Sequence, residues 1–231
     1  MKEKPSEWIS ISDLMAGVMA VVMLMLVVSV LQNKAAEAAM RVEKQQMEAA
    51  RQAEKAQGAA TQQTRLSALL EAMQADLAHG GEGGLIDVDI KNRRLTLPDN
   101  AFGRGSACIT DEAKRALTQL SVRVATFIHD YGQGQVLVEG HTDNVPVSRP
   151  VTDYARYCTV YDDNYTLSAA RAREARKLLV LALDGQQSLR VIVAGYGDSR
   201  PKPGLNPASA ENRRVEVQLV VSQEDRSLDG R

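Results

Sequence analysis

The run from Trp8 to Leu31, WISISDLMAGVMAVVMLMLVVSVL, carries one charged residue, Asp13, and limits what the rest of the chain can be. From Leu14 to Leu31 there are 18 residues without a charge. As a helix rising 1.5 Å per residue they extend roughly 27 Å. Counted from Trp8 the run extends roughly 36 Å, long enough to cross a hydrocarbon core with some tilt. A signal peptide is the rival reading. Its apolar core is about 7 to 15 residues, shorter than this run, and no small-x-small cleavage site follows before Gln32. The segment is therefore expected to persist as a membrane anchor. A carboxylate in or beside hydrocarbon is costly, and is kept for pairing, for ion passage or to end the apolar helix. Lys2 and Lys4 precede the span while Lys34, Arg41 and Lys44 follow it, so the positive-inside rule leaves the orientation open.

After the span, residues 34 to about 78 are dominated by Ala, Glu, Lys, Gln, Arg and Met, with no proline and with Gly58 as the weak helix former. They predict one long helix of nearly 70 Å at 1.5 Å per residue. One heptad frame places Ala35, Val42, Ala49, Ala56, Gln63, Leu70 and Leu77 at a, and Ala38, Gln45, Gln52, Ala59, Leu66 and Met73 at d. Its distal end, Leu66-Leu70-Met73-Leu77, is expected to form a parallel coiled-coil seam; a solvated single helix used as a spacer is the alternative. Four glycines within Gly80–Gly84 end the helix and add flexibility.

From Leu85 the pattern changes to that of a compact α+β domain. Ile86, Val88 and Ile90 alternate, Lys91 to Arg94 turn, and Leu95 and Leu97 alternate again, which predicts a hairpin. Thr110 with Asp111 and Glu112 opens a helix to about Asp130. Gln135–Glu139 reads as a strand, and Leu167–Leu183 as a second helix with Ala175, Leu178, Leu179 and Ala182 inward. Arg190–Ala194 and Arg214–Val221 supply further strands, giving an order of ββαβαβ or close to it. The expected division is 1–7 as a short N-terminus, 8–31 as the span, 32–84 as helical tail and glycine-rich linker, 85–221 as the folded domain and 222–231 as a tail.

A net charge of −1 gives no basic face for nucleic acid. Cys108 and Cys158 lie on loops that each follow a strand, at the same end of the expected sheet. Outside the inner membrane they would form a disulfide; two unrelated buried thiols are the alternative. His79, His129 and His141 are scattered without the paired-ligand spacing of a metal site. His141-Thr142-Asp143 has no activated nucleophile beside it, so no catalytic activity is expected.

Three segments carry a specific likeness: VEGHTDNVPV at 138–147, NYTLSAARAREARKLLV at 164–180, and GYGDSRPKPGLNPASAENRRVEVQLV at 195–220. In this order they resemble the OmpA-like peptidoglycan-binding domain, and the likeness covers essentially all of 85–221. It implies that Asp143 and Arg171 bind the diaminopimelate group of a wall stem peptide, with Asn164, Leu167, Ser168, Asn212 and Arg213 shaping the pocket. The chemistry agrees: an acid suits the ammonium, and a guanidinium fork suits the carboxylate. Read singly, Asp143 caps a turn and Arg171 pairs with Glu174. The stretch from Asp143 to Asn164 is longer than in short members of that family and is expected to cover part of the site.

The run ISDLMAGVMAVVMLMLV is similar to the transmembrane segment of MotB-type stator subunits, and the whole arrangement resembles more closely the ZorB subunits of Zorya anti-phage systems. Asp13 lacks the flanking aromatics of the former, and Gln32 onward is not a clear plug. The resemblance implies conduction of H⁺ or Na⁺ through Asp13, with no cofactor. It also implies a homodimer inside a ring of five multi-span ZorA-like or MotA-like subunits, a single pass through the bacterial inner membrane, a cytoplasmic N-terminus and a periplasmic domain. A carboxyl group removed from water has its pKa raised, which suits proton loading and release. One helix cannot enclose a path, so a multi-span partner is needed; Ala16, Gly17 and Ala20 permit its close approach. Capping of the apolar helix by Ser12 or Asp13 is the plainer alternative.

Overall fold

The computed structural model describes residues 7–80 and 84–221, with residues 7–13 described for their helical backbone alone. The expected N-terminal segment up to Ser6, the glycines at 81 and 83 of the linker, and the tail 222–231 lie outside the described residues. The chain divides into two compact units, Met1–Gln62 and Gln63–Arg231.

Helix α1 (Glu7–His79) runs 73 residues. Its side chains from Leu14 to Arg65 are exposed, including every large apolar residue between Leu14 and Leu31. A helix apolar on all sides needs an apolar surround, and among the described residues this is the one helix long and apolar enough to cross a membrane. Asp13 lies on this helix, but its side chain is outside the described residues.

The last turns of α1 belong to the second unit. Leu66, Leu70, Met73 and Leu77 are at most 2% exposed and lie in one core cluster with Leu95, Leu97, Leu117, Leu120, Val124 and Val217. The seam expected to pair with a second chain is therefore buried within this one. An i, i+4, i+7, i+11 stripe specifies an apolar face, not its occupant, and the domain supplies the larger apolar surface. Asp76 fixes the contact by accepting from Arg123 Nε at 2.7 Å and Nη2 at 3.3 Å.

The domain continues with β1 (Asp87–Asp89) and β2 (Arg94–Pro98). Asp89 Oδ1 accepts from the Asn92 amide at 3.0 Å to close their turn. Helix α2 (Asp111–Asp130) begins where Thr110 Oγ1 accepts from the Ala113 amide, and buries Leu117, Leu120, Val124, Phe127 and Ile128 on one face. Then come β3 (Gln135–His141), a short α3 (Tyr154–Tyr157), α4 (Asn164–Leu179), a short α5 (Gly185–Ser188), β4 (Val191–Gly195) and β5 (Arg214–Val220). The sheet order is β1-β2-β5-β3-β4, antiparallel except for the β3–β4 pair. The main order is thus ββαβαββ, in which each of the five expected strands is present and the last two follow α4 in succession.

Helix α4 starts three residues before its expected start, because Asp163 Oδ1 accepts from the Thr166 amide at 2.6 Å. It also stops four residues earlier, so Ala182 is exposed rather than inward. Arg176 near its end donates to the carbonyls of Ser188 and Val191, both at 2.7 Å, and this ties the returning chain to the helix. Two glycines let α4 lie close on the sheet. A Cβ on Gly140 would sit 1.9 Å from the Ser168 carbonyl oxygen, and one on Gly195 would sit 2.6 Å from the Ala169 Cβ.

Candidate functional site

The site forms where β3 ends and α4 begins. Asp143 lies two residues past β3 and is 7% exposed. Its Oδ1 accepts from the Val145 amide at 3.2 Å, the turn-capping role it has when read singly. Its Oδ2 accepts from Arg213 Nη1 at 2.5 Å, so the same carboxylate also holds a charge partner. Asn164, the first residue of α4, donates to the carbonyls of Asp143 at 3.2 Å and Val145 at 3.0 Å and pins that turn.

Arg171 lies on α4 and is 1% exposed. It does not pair with Glu174, whose carboxylate is taken by Arg173 and Lys177. Its Nε donates to the Ser106 carbonyl at 2.9 Å and its Nη1 to Asp99 Oδ1 at 3.0 Å, and its guanidinium lies 5.1 Å from the centre of the Phe102 ring. The other oxygen of Asp99 accepts from Arg213 Nε at 2.9 Å. Asp143, Arg213, Asp99 and Arg171 therefore form one line of alternating sign. Burial lowers the pKa of Arg171 while Asp99 opposes that shift, and the bond to Asp143, with help from Asp99, raises the pKa of Arg213.

The remaining expected residues support this line from behind. Leu167 and Ser168 are buried. Ser168 Oγ accepts from the Gly197 amide at 2.9 Å and so links α4 to the loop after β4. Asn212 is 0% exposed. It accepts from the Lys202 amide at 2.8 Å and donates to the carbonyls of Asn206 and Pro207, an internal brace for the loop that delivers Arg213.

Cys108 and Cys158 are joined in a disulfide, with Cα atoms 5.0 Å apart. It ties the 144–163 stretch to the loop after Phe102. The tie is reinforced where the Ala107 amide and Ser106 Oγ donate to the Tyr157 carbonyl, both at 3.0 Å, and where the Tyr161 hydroxyl donates to the Gly105 carbonyl at 2.6 Å. The long stretch is thus docked on the loop whose Ser106 carbonyl holds Arg171. Asp99 is the residue that sequence reasoning missed. Its partners are 72 and 114 positions away, and its only local signal is a turn-like Pro-Asp-Asn.

On the other face of the sheet, Glu139, His141 and Glu216 bring ligand-type atoms within 4.8 Å of one another. Both oxygens of Glu216 are already engaged, by Arg214 Nε at 2.6 Å and Arg94 Nη1 at 2.8 Å. The arrangement is that of a buried ion-pair cluster. Burial alone would raise the pKa of Glu216, but its bond and charge interactions with Arg214, aided by Arg94, lower it.

A mixed sheet of this order, covered by α2 and α4, defines the class: the C-terminal domain is OmpA-like, and residues 101–214 match the OmpA family. Among particular proteins, the chain is 29% identical over 130 residues to a protein of Escherichia coli K12 described as a truncated flagellar export/assembly protein, LafU. It has the same identity to the LafU of Escherichia coli O44:H18. The match covers 56% of this chain but only 54% and 37% of those two proteins, so the chain spans about half or less of the curated relatives it matches. Its fold is similar to the crystal structure of a MotB-like protein from Desulfovibrio vulgaris, with a TM-score of 0.53 at 21% identity over 69% of this chain and 96% of that one.

Proposed function

We propose that this chain is an ion-driven, stator-type subunit of the bacterial inner membrane that holds peptidoglycan through its OmpA-like domain. The observation that carries the wall-binding part is the alternating line Asp143–Arg213–Asp99–Arg171 at the head of α4. A carboxylate and guanidiniums side by side suit a ligand with both an ammonium and a carboxylate, as the diaminopimelate of a stem peptide has. The chain acts by binding and conduction, not by catalysis. The exposed apolar helix supports a single membrane pass; in this reading the N-terminus is cytoplasmic and the domain periplasmic. Asp13 then relays H⁺ or Na⁺ against a multi-span ZorA-like or MotA-like partner, five of which surround two copies of this chain. An elementary charge crossing 100 mV yields about 2.3 kcal/mol, enough when repeated to drive a conformational cycle. The biological role in this reading is anti-phage defence of the Zorya type.

The likeness to the two flagellar relatives supports a second reading, a MotB-like stator subunit of motility. A passive wall tether is the third. One paired experiment separates them. Asp13→Asn is expected to leave expression and membrane insertion intact while abolishing protection against phage. Loss of swimming alone points to the motility reading, and no loss of either output leaves the tether. Asp143→Ala combined with Arg213→Ala is expected to abolish co-sedimentation with purified sacculi in every case. Retained co-sedimentation rules out this site.

A further inference from the structure

Asp99 lies two residues before the stretch that matches the OmpA family, yet it is the centre of the site's charge network. Each of its oxygens holds a different arginine, Arg171 at 3.0 Å and Arg213 at 2.9 Å. The Asp99 side chain is 31% exposed and that of Arg171 only 1%. An anion arriving from solvent therefore meets Arg171 at, or beside, the position that the Asp99 carboxylate already fills. We infer that Asp99 is a built-in stand-in for the ligand's carboxylate, a latch that keeps the two arginines occupied until a stem peptide exchanges for it. The inference rests on the wall-binding reading given above.

The physical need for such a group follows from the burial of Arg171. A guanidinium taken out of water without a counter-charge is strongly destabilising. A site that left Arg171 waiting for its ligand would carry that cost whenever it was empty. The Asp99 carboxylate, together with the Ser106 carbonyl and the Phe102 ring, removes it. Exchange conserves charge. A zwitterion brings an ammonium to Asp143 and a carboxylate to the arginines, while Asp99, already partly solvated, turns to water. A ligand that offers only the ammonium can reach Asp143 but cannot release Asp99, so the latch favours stem peptides that carry both groups. The closed latch also lowers the apparent affinity by the fraction of sites it occupies.

The test is binding of two soluble muropeptides, one with meso-diaminopimelate and one with lysine in its place, to the full chain in detergent. Asp99→Asn keeps the shape of the side chain while removing its charge. It is expected to bind the diaminopimelate muropeptide about five-fold more tightly, the worth of the partly exposed Asp99–Arg213 pair, and to discriminate less against the lysine form. Equal or weaker binding by Asp99→Asn overturns the latch and makes Asp99 a clamp that positions the arginines. Failure of the unsubstituted chain to bind either muropeptide removes the wall-binding reading and the latch with it, an outcome distinct from the first. Should Asp99→Asn not fold, the 13Cγ resonance of Asp99 in the unsubstituted chain decides. It is expected to move on saturation with the diaminopimelate muropeptide, and a resonance that stays in place overturns the latch.

Discussion

His141 shows how one buried side chain sets a pH limit. It is 2% exposed and stacks on Tyr196 with ring centroids 5.5 Å apart, and neither of its ring nitrogens has a hydrogen-bond partner among the described residues. Burial first, then the charge of Arg214, lowers its pKa from 6.5 to about 4; Arg200 and Arg94 push the same way and Glu216 opposes them. The folded chain therefore refuses a proton that the unfolded chain accepts between those values. The stability this contributes is complete above pH 6.5 and is lost as pH falls towards 4, up to about 3 kcal/mol in all. Thermal melts between pH 7 and 4.5 are expected to show this fall, and His141→Gln to flatten it; equal slopes in both proteins contradict the account. Glu216 adds to acid lability only below its ordinary range. At this scale the sequence was partly legible. Asp143 and Arg213 sit in recognisable motifs, and they meet. Asp99 was hidden because an ion pair between positions 72 or 114 apart leaves no local pattern.

Among the elements, α2 and the hairpin were legible because their signals are local: a capping threonine with two acids, and alternation broken by a turn. The ends of α4 were not. Its start depends on Asp163, four positions ahead of the first inward leucine, and its end on Arg176 reaching the carbonyls of Ser188 and Val191. The distal part of α1 shows the limit most clearly. Its stripe was visible, but the periodicity is the same whether the stripe meets a second helix or the chain's own sheet. Leu70→Ala tests the observed burial. Leu70 is 0% exposed, and truncation of a leucine so enclosed costs about 2 to 5 kcal/mol. Chemical denaturation of the domain is expected to register that loss at any protein concentration. A seam between two chains would instead produce a loss that depends on concentration.

At the scale of the whole molecule, the disulfide connects two loops that share no secondary structure. Its cysteines are 50 positions apart, and closing a loop of that size stabilises by about 4 kcal/mol in the chain-entropy picture. Replacing both cysteines with serine is expected to lower the unfolding free energy by that order. It should also weaken sacculus binding, because the loop that carries Ser106 and its hold on Arg171 loses its tie. Unchanged binding with lowered stability would confine the bond to a structural role. The alternating line of acids and bases has one more consequence. Two negative and two positive groups cancel at a distance, so the field they project fades within a few ångströms instead of drawing a charged polymer in from afar. Capture by such a cleft happens on touch, and the rate of encounter should vary little with the ionic strength of the surrounding fluid.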